Sequence, residues 1–146
     1  VNIVFSKPAH HWLKRYKVCH KSLRNILKYL CYKEGYPTNK TLHIHIKHNG
    51  TNSDYDIGMN RITVGLDVYT KNRRQRVKRM VRNLLHELRH FIQYKIQKRE
   101  VLFSYSQKDI MTMSDRYWYA PEEIDARKYE LKKLKFVLKR IQKPKN

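Results

Sequence analysis

Between residues 73 and 98 the apolar residues fall at Val77, Met80, Val81, Leu84, Leu85, Leu88, Phe91 and Ile92, the spacing of one side of a long helix. His86 and His90 stand four residues apart in the same stretch. At about 100° per residue they fall roughly opposite the apolar side. Any fold of this chain must bury one side of that helix. The other side, with both imidazoles, must face a cleft, solvent or another element.

The whole 146-residue sequence supplies little more than one modest core, so residues 1–146 are expected to form one domain. Residues 7–33 are predicted helical: Ser6 can cap the segment, Pro8 suits its first turn and Gly35 its end. Leu13, Tyr16, Leu23, Ile26, Leu27 and Leu30 form its apolar stripe. Residues 41–47 alternate strictly, with Leu42, Ile44 and Ile46 on one face, and are predicted to form a strand. Asn49-Gly50 signals a turn. Residues 61–69 alternate again through Ile62, Val64, Leu66 and Val68, and residues 55–58 are placed to pair with them as a hairpin. Residues 100–120 show no period, a last helix runs from Pro121 to about Ile141, and the tail from Gln142 to Asn146 is expected to be loose. The order of helix, small sheet, helix, loop and helix makes the expected fold class α+β, with no linker and no internal repeat.

Residues 86–90 read His-Glu-Leu-Arg-His, an HExxH pattern. On a helix, residues four apart lie one above the other, so both imidazoles can reach one zinc ion, Zn2+. Glu87 then sits beside the open coordination position, where it can take a proton from a metal-activated water. With eight histidines in the chain, the pattern is expected by chance only about 0.02 times. A coincidental match on a surface helix, or a pair of structural histidines, is the competing explanation.

A catalytic zinc needs a third protein ligand. Residues 121–126 read Pro-Glu-Glu-Ile-Asp-Ala. Ile124, Leu131, Leu134, Val137, Leu138 and Ile141 make the apolar stripe of the last helix, and Glu123 projects into it while Glu122 and Asp125 point away. A carboxylate aimed at a core needs a partner, which is a metal or else Arg127 four residues on. Glu130 also leans inward, so Glu130, Asp125 and Glu122 stay as alternatives to Glu123.

Together HELRHFIQ and PEEIDARKYE resemble the small gluzincin metallopeptidases, ImmA/IrrE-like and, more distantly, SprT-like. Their pattern is HExxH followed by a helix carrying ExxA, which matches Glu123 and Ala126 and makes Glu123 the third ligand. The resemblance spans roughly residues 40–140, and the metzincin extension of HExxH is absent. It implies a zincin-like fold with an N-terminal helix, a small β-sheet, an HExxH active-site helix and a C-terminal glutamate helix. It further implies peptide-bond hydrolysis in a protein or peptide substrate, and a phage- or virus-encoded source. Tyr117 and Tyr119 precede the glutamate helix and are candidates to stabilise the oxyanion, with ordinary packing as the alternative. The 41–47 strand is expected to be a sheet edge open to an extended substrate.

His43-Ile44-His45 puts two histidines on one face of the first strand, a weaker pattern that resembles the HUH motif of DNA-nicking enzymes, with Tyr129 and Lys132 fitting its loose YxxK partner. The formal net charge of +21 suits that alternative or any polyanion partner; a lysine-rich solvated surface from an AT-rich genome explains it equally. Arg73, Arg74, Arg76, Lys78 and Arg79 directly precede the HExxH pattern and are candidates for nonspecific nucleic-acid contacts. A binding protein with purely structural zinc is a third reading. Cys19 and Cys31, about 18 Å apart on one helix, are too far for a disulfide. No signal peptide is expected, because Lys7, Lys14 and Arg15 interrupt the first fifteen residues, and there is no eighteen-residue apolar run, so the free thiols point to a reducing, cytoplasmic compartment.

Overall fold

The alternation at 41–47 does produce a strand, but that strand lies inside the sheet. The computed structural model describes residues 1–35, 39–47, 52–66, 72–98, 108 and 112–142. In it β1 (Asn2–Phe5), β2 (Thr41–Lys47), β3 (Asp54–Asp56) and β4 (Arg61–Gly65) form one sheet in the order β1-β2-β4-β3. β1, β2 and β4 are parallel; β3 is antiparallel to β4. Among the described residues the edges are β1 and β3, so the expected edge at 41–47 is corrected. The cause is β1, which pairs Ile3 with Leu42 and Phe5 with Ile44. Its four residues are too few for alternation to stand out before the helix cap at Ser6. The chain therefore opens with a strand, not with the expected N-terminal helix.

The helix predicted for 7–33 is two helices, α1 (Lys7–Arg15) and α2 (His20–Lys33). Ser6 caps α1 by accepting from the Ala9 amide at 3.2 Å. Gly35, at φ 85, ends α2 with its amide on the Tyr32 carbonyl. Between the helices Lys17 has φ 54, Val18 bridges to Gln142, and the Cys19 amide donates to the Ile141 carbonyl at 3.0 Å. Tyr16 and Leu23 are seven residues apart, two helical turns, so the apolar stripe keeps its phase across the break. That is why the periodicity hides it. Gln142, expected to be loose, is held by the bridge to Val18.

The long helix is α3 (Arg73–Phe91), capped by the Asn72 side chain, which accepts from the Gln75 amide at 2.9 Å. It continues as a π-helical turn over Ile92–Ile96 instead of an α-helix to 98. One short helix, α4 (Asp115–Trp118), lies in the stretch without period, and α5 (Pro121–Ile141) follows as predicted. The 55–58 hairpin is realised as β3 with β4. The Asn49-Gly50 turn, the end of the 61–69 segment beyond residue 66, most of 100–111 and the last four residues lie outside the described residues.

Leu42, Ile44, Ile46, Ile62 and Val64 of the sheet share one core with Trp12, Leu13, Leu23, Leu27 and Leu30 of α1 and α2, Leu84, Leu85, Leu88 and Phe91 of α3, and Val137 and Ile141 of α5. Leu131, placed in the apolar stripe of α5 by periodicity, is instead 62% exposed, because α5 meets α3 along Glu123, Ala126, Tyr129 and Glu130. No helix among the described residues is long and apolar enough to cross a membrane.

The left-handed backbone at Lys17 gives an ordered outcome. Glycine adopts it without strain, lysine at a cost of about 1 kcal/mol, and a β-branched residue at more. Urea midpoints should rank Lys17→Gly at or above wild type, and Lys17→Val lower by about 1–2 kcal/mol of stability. A valine variant as stable as wild type would contradict this account of the break.

Candidate metal centre

α3 presents His86 and His90 one turn apart, their rings edge to face with centroids 5.0 Å apart. α5 packs against that side of α3 and delivers Glu123 between them. His86 Nε2 lies 2.9 Å from Glu123 Oε2, and His90 Nε2 lies 3.1 Å from Glu123 Oε1. One ligand atom from each residue falls within 4.8 Å of the others, and among the described residues no other such group of three occurs. Neighbouring ligand atoms around a tetrahedral zinc are about 3.4 Å apart, given bonds of about 2.1 Å. The observed separations are close to that edge, and two imidazoles with one carboxylate are a donor set zinc takes readily. The residues present therefore fit a metal ion.

The atoms behind the ligands fix their protons. Gln93 Nε2 donates to the Glu122 carbonyl at 3.0 Å and to Asp125 Oδ2 at 2.7 Å. Both partners are acceptors only, so the amide oxygen of Gln93 must face His90 Nδ1, 2.9 Å away. His90 then carries a proton on Nδ1, and its Nε2 faces Glu123, donating to the carboxylate when the ring is charged and free to hold a metal when the ring is neutral. Arg89 holds Asp125 in turn, with Nε donating to Oδ2 at 2.8 Å, and reaches Glu34, which caps the end of α2, at 3.4 Å. On the other histidine, Nδ1 of His86 faces Glu130 Oε1 at 3.5 Å, and Glu130 Oε2 accepts from Arg82 Nε at 3.2 Å. Carboxylate–histidine pairs of this kind orient metal ligands.

Glu123, unlike its three alternatives, joins both histidines. Glu130 stands behind His86, Glu122 offers its backbone carbonyl to Gln93, and Asp125 engages Arg89 and Gln93. Asp125 was expected to point away, but α3 covers more than one stripe of α5, so a residue off the apolar stripe is still met by a partner. Gln93 and Arg89 were not read as part of the site. Gln93, three residues after His90, carries a weak local signal; the Arg89–Asp125 pair depends on helix packing alone.

Glu87 is buried beside the histidines, and burial pushes its carboxyl up to about 7 against the pull of His90 and His86. Burial alone would lower the His86 imidazole, but its contacts with Glu123 and Glu130 raise it to about 10. Burial likewise works against the Glu123 carboxylate, and the hydrogen bonds from His86 and His90 hold it down at about 2.

These groups form the floor of a cleft of about 1440 Å³, larger than small-molecule pockets of about 300–1,000 Å³. Edge strand β3 borders it through Asp54 and Tyr55. Tyr117 lines it with its hydroxyl pushed up by burial and by Glu123 and Glu87, and so kept protonated. Tyr119 is 64% exposed and outside the lining. Tyr94, missed in the sequence, lines the cleft and stacks on His90 with centroids 6.0 Å apart. Of the five candidate polyanion contacts, Arg73 donates to the Tyr16 carbonyl and Arg76 to the Tyr16 hydroxyl, Arg74 is exposed, and Lys78 and Arg79 line the cleft. His43 is exposed, His45 Nδ1 lies 2.8 Å from Ser6 Oγ, and Tyr129 is buried under Arg89 at 6% exposure.

Two outcomes follow. Gln93→Leu should weaken zinc about 10- to 100-fold in chelator competition, through loss of the His90 proton assignment; unchanged affinity would refute that role. In the metal-free protein Glu123 contributes stability above about pH 4.5 that is lost as pH falls toward 2, while the His86 contribution is complete below about 6.5 and lost as pH rises through 10. The Glu87 contribution is complete below about 4.5 and lost as pH rises through 7. The metal-free protein should thus melt highest near pH 4.5 and progressively lower as pH rises above it. Zinc must displace protons from the histidines, so its increment in Tm should grow from about pH 5 to about pH 8. An increment independent of pH would argue against histidine ligation.

No protein-family model, curated protein or solved structure matches this chain, so its chemistry must be inferred from the site itself.

Proposed function

We propose that this protein is a zinc metallopeptidase of the zincin type, similar to the minimal gluzincins, with α3 as the HExxH helix and α5 as the glutamate helix. The observation that carries the proposal is the convergence of His86, His90 and Glu123 at a cleft floor with Glu87 buried beside them. His86, His90 and Glu123 would hold the ion, and with no fourth ligand grouped with them among the described residues one position would stay open, as it does not in a purely structural site. Zinc, when bound, supplies Lewis acidity: it lowers the pKa of water to about 7 and polarises a carbonyl.

The chain's own groups do the rest. Glu87, with its carboxyl near 7, takes a proton from the attacking water and returns it to the leaving amine. Tyr117 and Tyr94 line the cleft as hydroxyl donors for the developing oxyanion. β3 offers an edge for an extended peptide. DNA nicking through His43 and His45 is disfavoured by Tyr129, whose burial leaves no exposed nucleophile in that motif.

The test combines metal content with turnover on a mixed peptide library read by mass spectrometry. Wild type and His43→Ala should carry one zinc, and His90→Ala should lose it. Glu87→Gln should keep zinc and lose cleavage by about 10²- to 10⁴-fold. Full activity in Glu87→Gln, or metal lost only with His43→Ala, would overturn the proposal.

A further inference from the structure

The outward side of α3 carries Lys78, Arg79 and Arg82 on the row that leads to His86, and all three line the cleft. At about 1.5 Å per residue they stand about 12, 10 and 6 Å along the helix axis from His86. Lys47 closes the same end from the sheet: it pairs in register with Gly65, whose carbonyl accepts from Asn83 of α3 at 3.2 Å. At this end the described carboxylate is Glu130, shared between Arg82 and His86. The floor has the opposite character, with Asp54, Glu87 and Glu123. Arg61 and Arg127 also line the cleft, but Lys47, Lys78, Arg79 and Arg82 gather at one end, so this arm is the most cationic part of the lining and the floor is acidic.

We infer, resting on the peptidase reading, that the cleft selects peptides carrying Asp or Glu about two to four residues from the scissile bond, on one side only, with neutral residues across the floor. An extended peptide advances about 3.3 Å per residue, so that spacing spans the distance from His86 out to Arg82 and Lys78. Carboxylates meeting lysine and arginine form charge-assisted hydrogen bonds. A polynucleotide fits less well: a phosphate chain following the cleft would cross the acidic floor, where successive charges are repelled.

Binding of labelled peptides to zinc-loaded Glu87→Gln tests this directly. The series places an acidic triplet on the N-terminal side, on the C-terminal side, or nowhere, and includes a lysine triplet and a single-stranded oligonucleotide of matched charge. One acidic placement should bind about tenfold tighter than the neutral peptide, with the preference shrinking as salt rises. Introducing Lys78→Glu and Arg79→Glu together should abolish the preference while zinc content and Tm hold. Equal binding of all peptides, a preference untouched by the charge reversal, or displacement of the acidic peptide by the oligonucleotide would overturn the inference. Cleavage of neutral and acidic peptides alike by wild type would sink the inference and leave the peptidase standing. The acidic preference without any cleavage would sink the peptidase reading instead.

Discussion

Placing the Glu123 carboxylate between two imidazoles, away from water, costs several kcal/mol unless opposite charge or a metal meets it. α3 and α5 are arranged around that demand. The two helices meet along Glu123, Ala126, Tyr129 and Glu130, a face too polar to be held by apolar burial alone. Arg89 supplies the second tie by gripping Asp125 and reaching Glu34, and its guanidinium also covers the ring of Tyr129 at 5.0 Å. Removing the charge at Glu123 would therefore disturb the helix interface as well as the ligand set.

The same contacts explain why the site combines reactive and inert acids. Glu123 and Glu130 both face imidazole nitrogens, and the two imidazoles hold Glu123 as a fixed anion. Glu87 is buried with weaker compensation, and its raised pKa leaves it able to exchange a proton near neutrality. Three carboxylates a few residues apart in space thus acquire different duties from their surroundings.

Much of this was legible in the sequence where one physical rule acted alone. His86 and His90 lie four apart on a strongly periodic helix, and Glu123 breaks an apolar stripe, so the three could be brought together by helical geometry and resemblance. The strands at 41–47 and 61–65 follow from alternation. What escaped depended on partners distant in sequence. β1 has too few residues to announce itself, so the edge was assigned to β2. The break at Lys17 preserves the phase of the stripe on both sides. Gln93 gains its meaning only once Glu122 and Asp125 of another helix present two acceptors to its amide.

The bridge between Val18 and Gln142, with the Cys19 amide on the Ile141 carbonyl, fixes the far end of α5. Glu123 sits about 27 Å from that anchor at 1.5 Å per residue. Over such an arm a tilt of about 1° moves the carboxylate by about 0.5 Å, the tolerance within which a catalytic group must be held. A tilt at the opposite pole of the molecule would thereby reach the candidate metal site, with α5 as the lever and the kink between the first two helices as its pivot, and the grip of Gln93 and Arg89 on Glu122 and Asp125 steadies the near end.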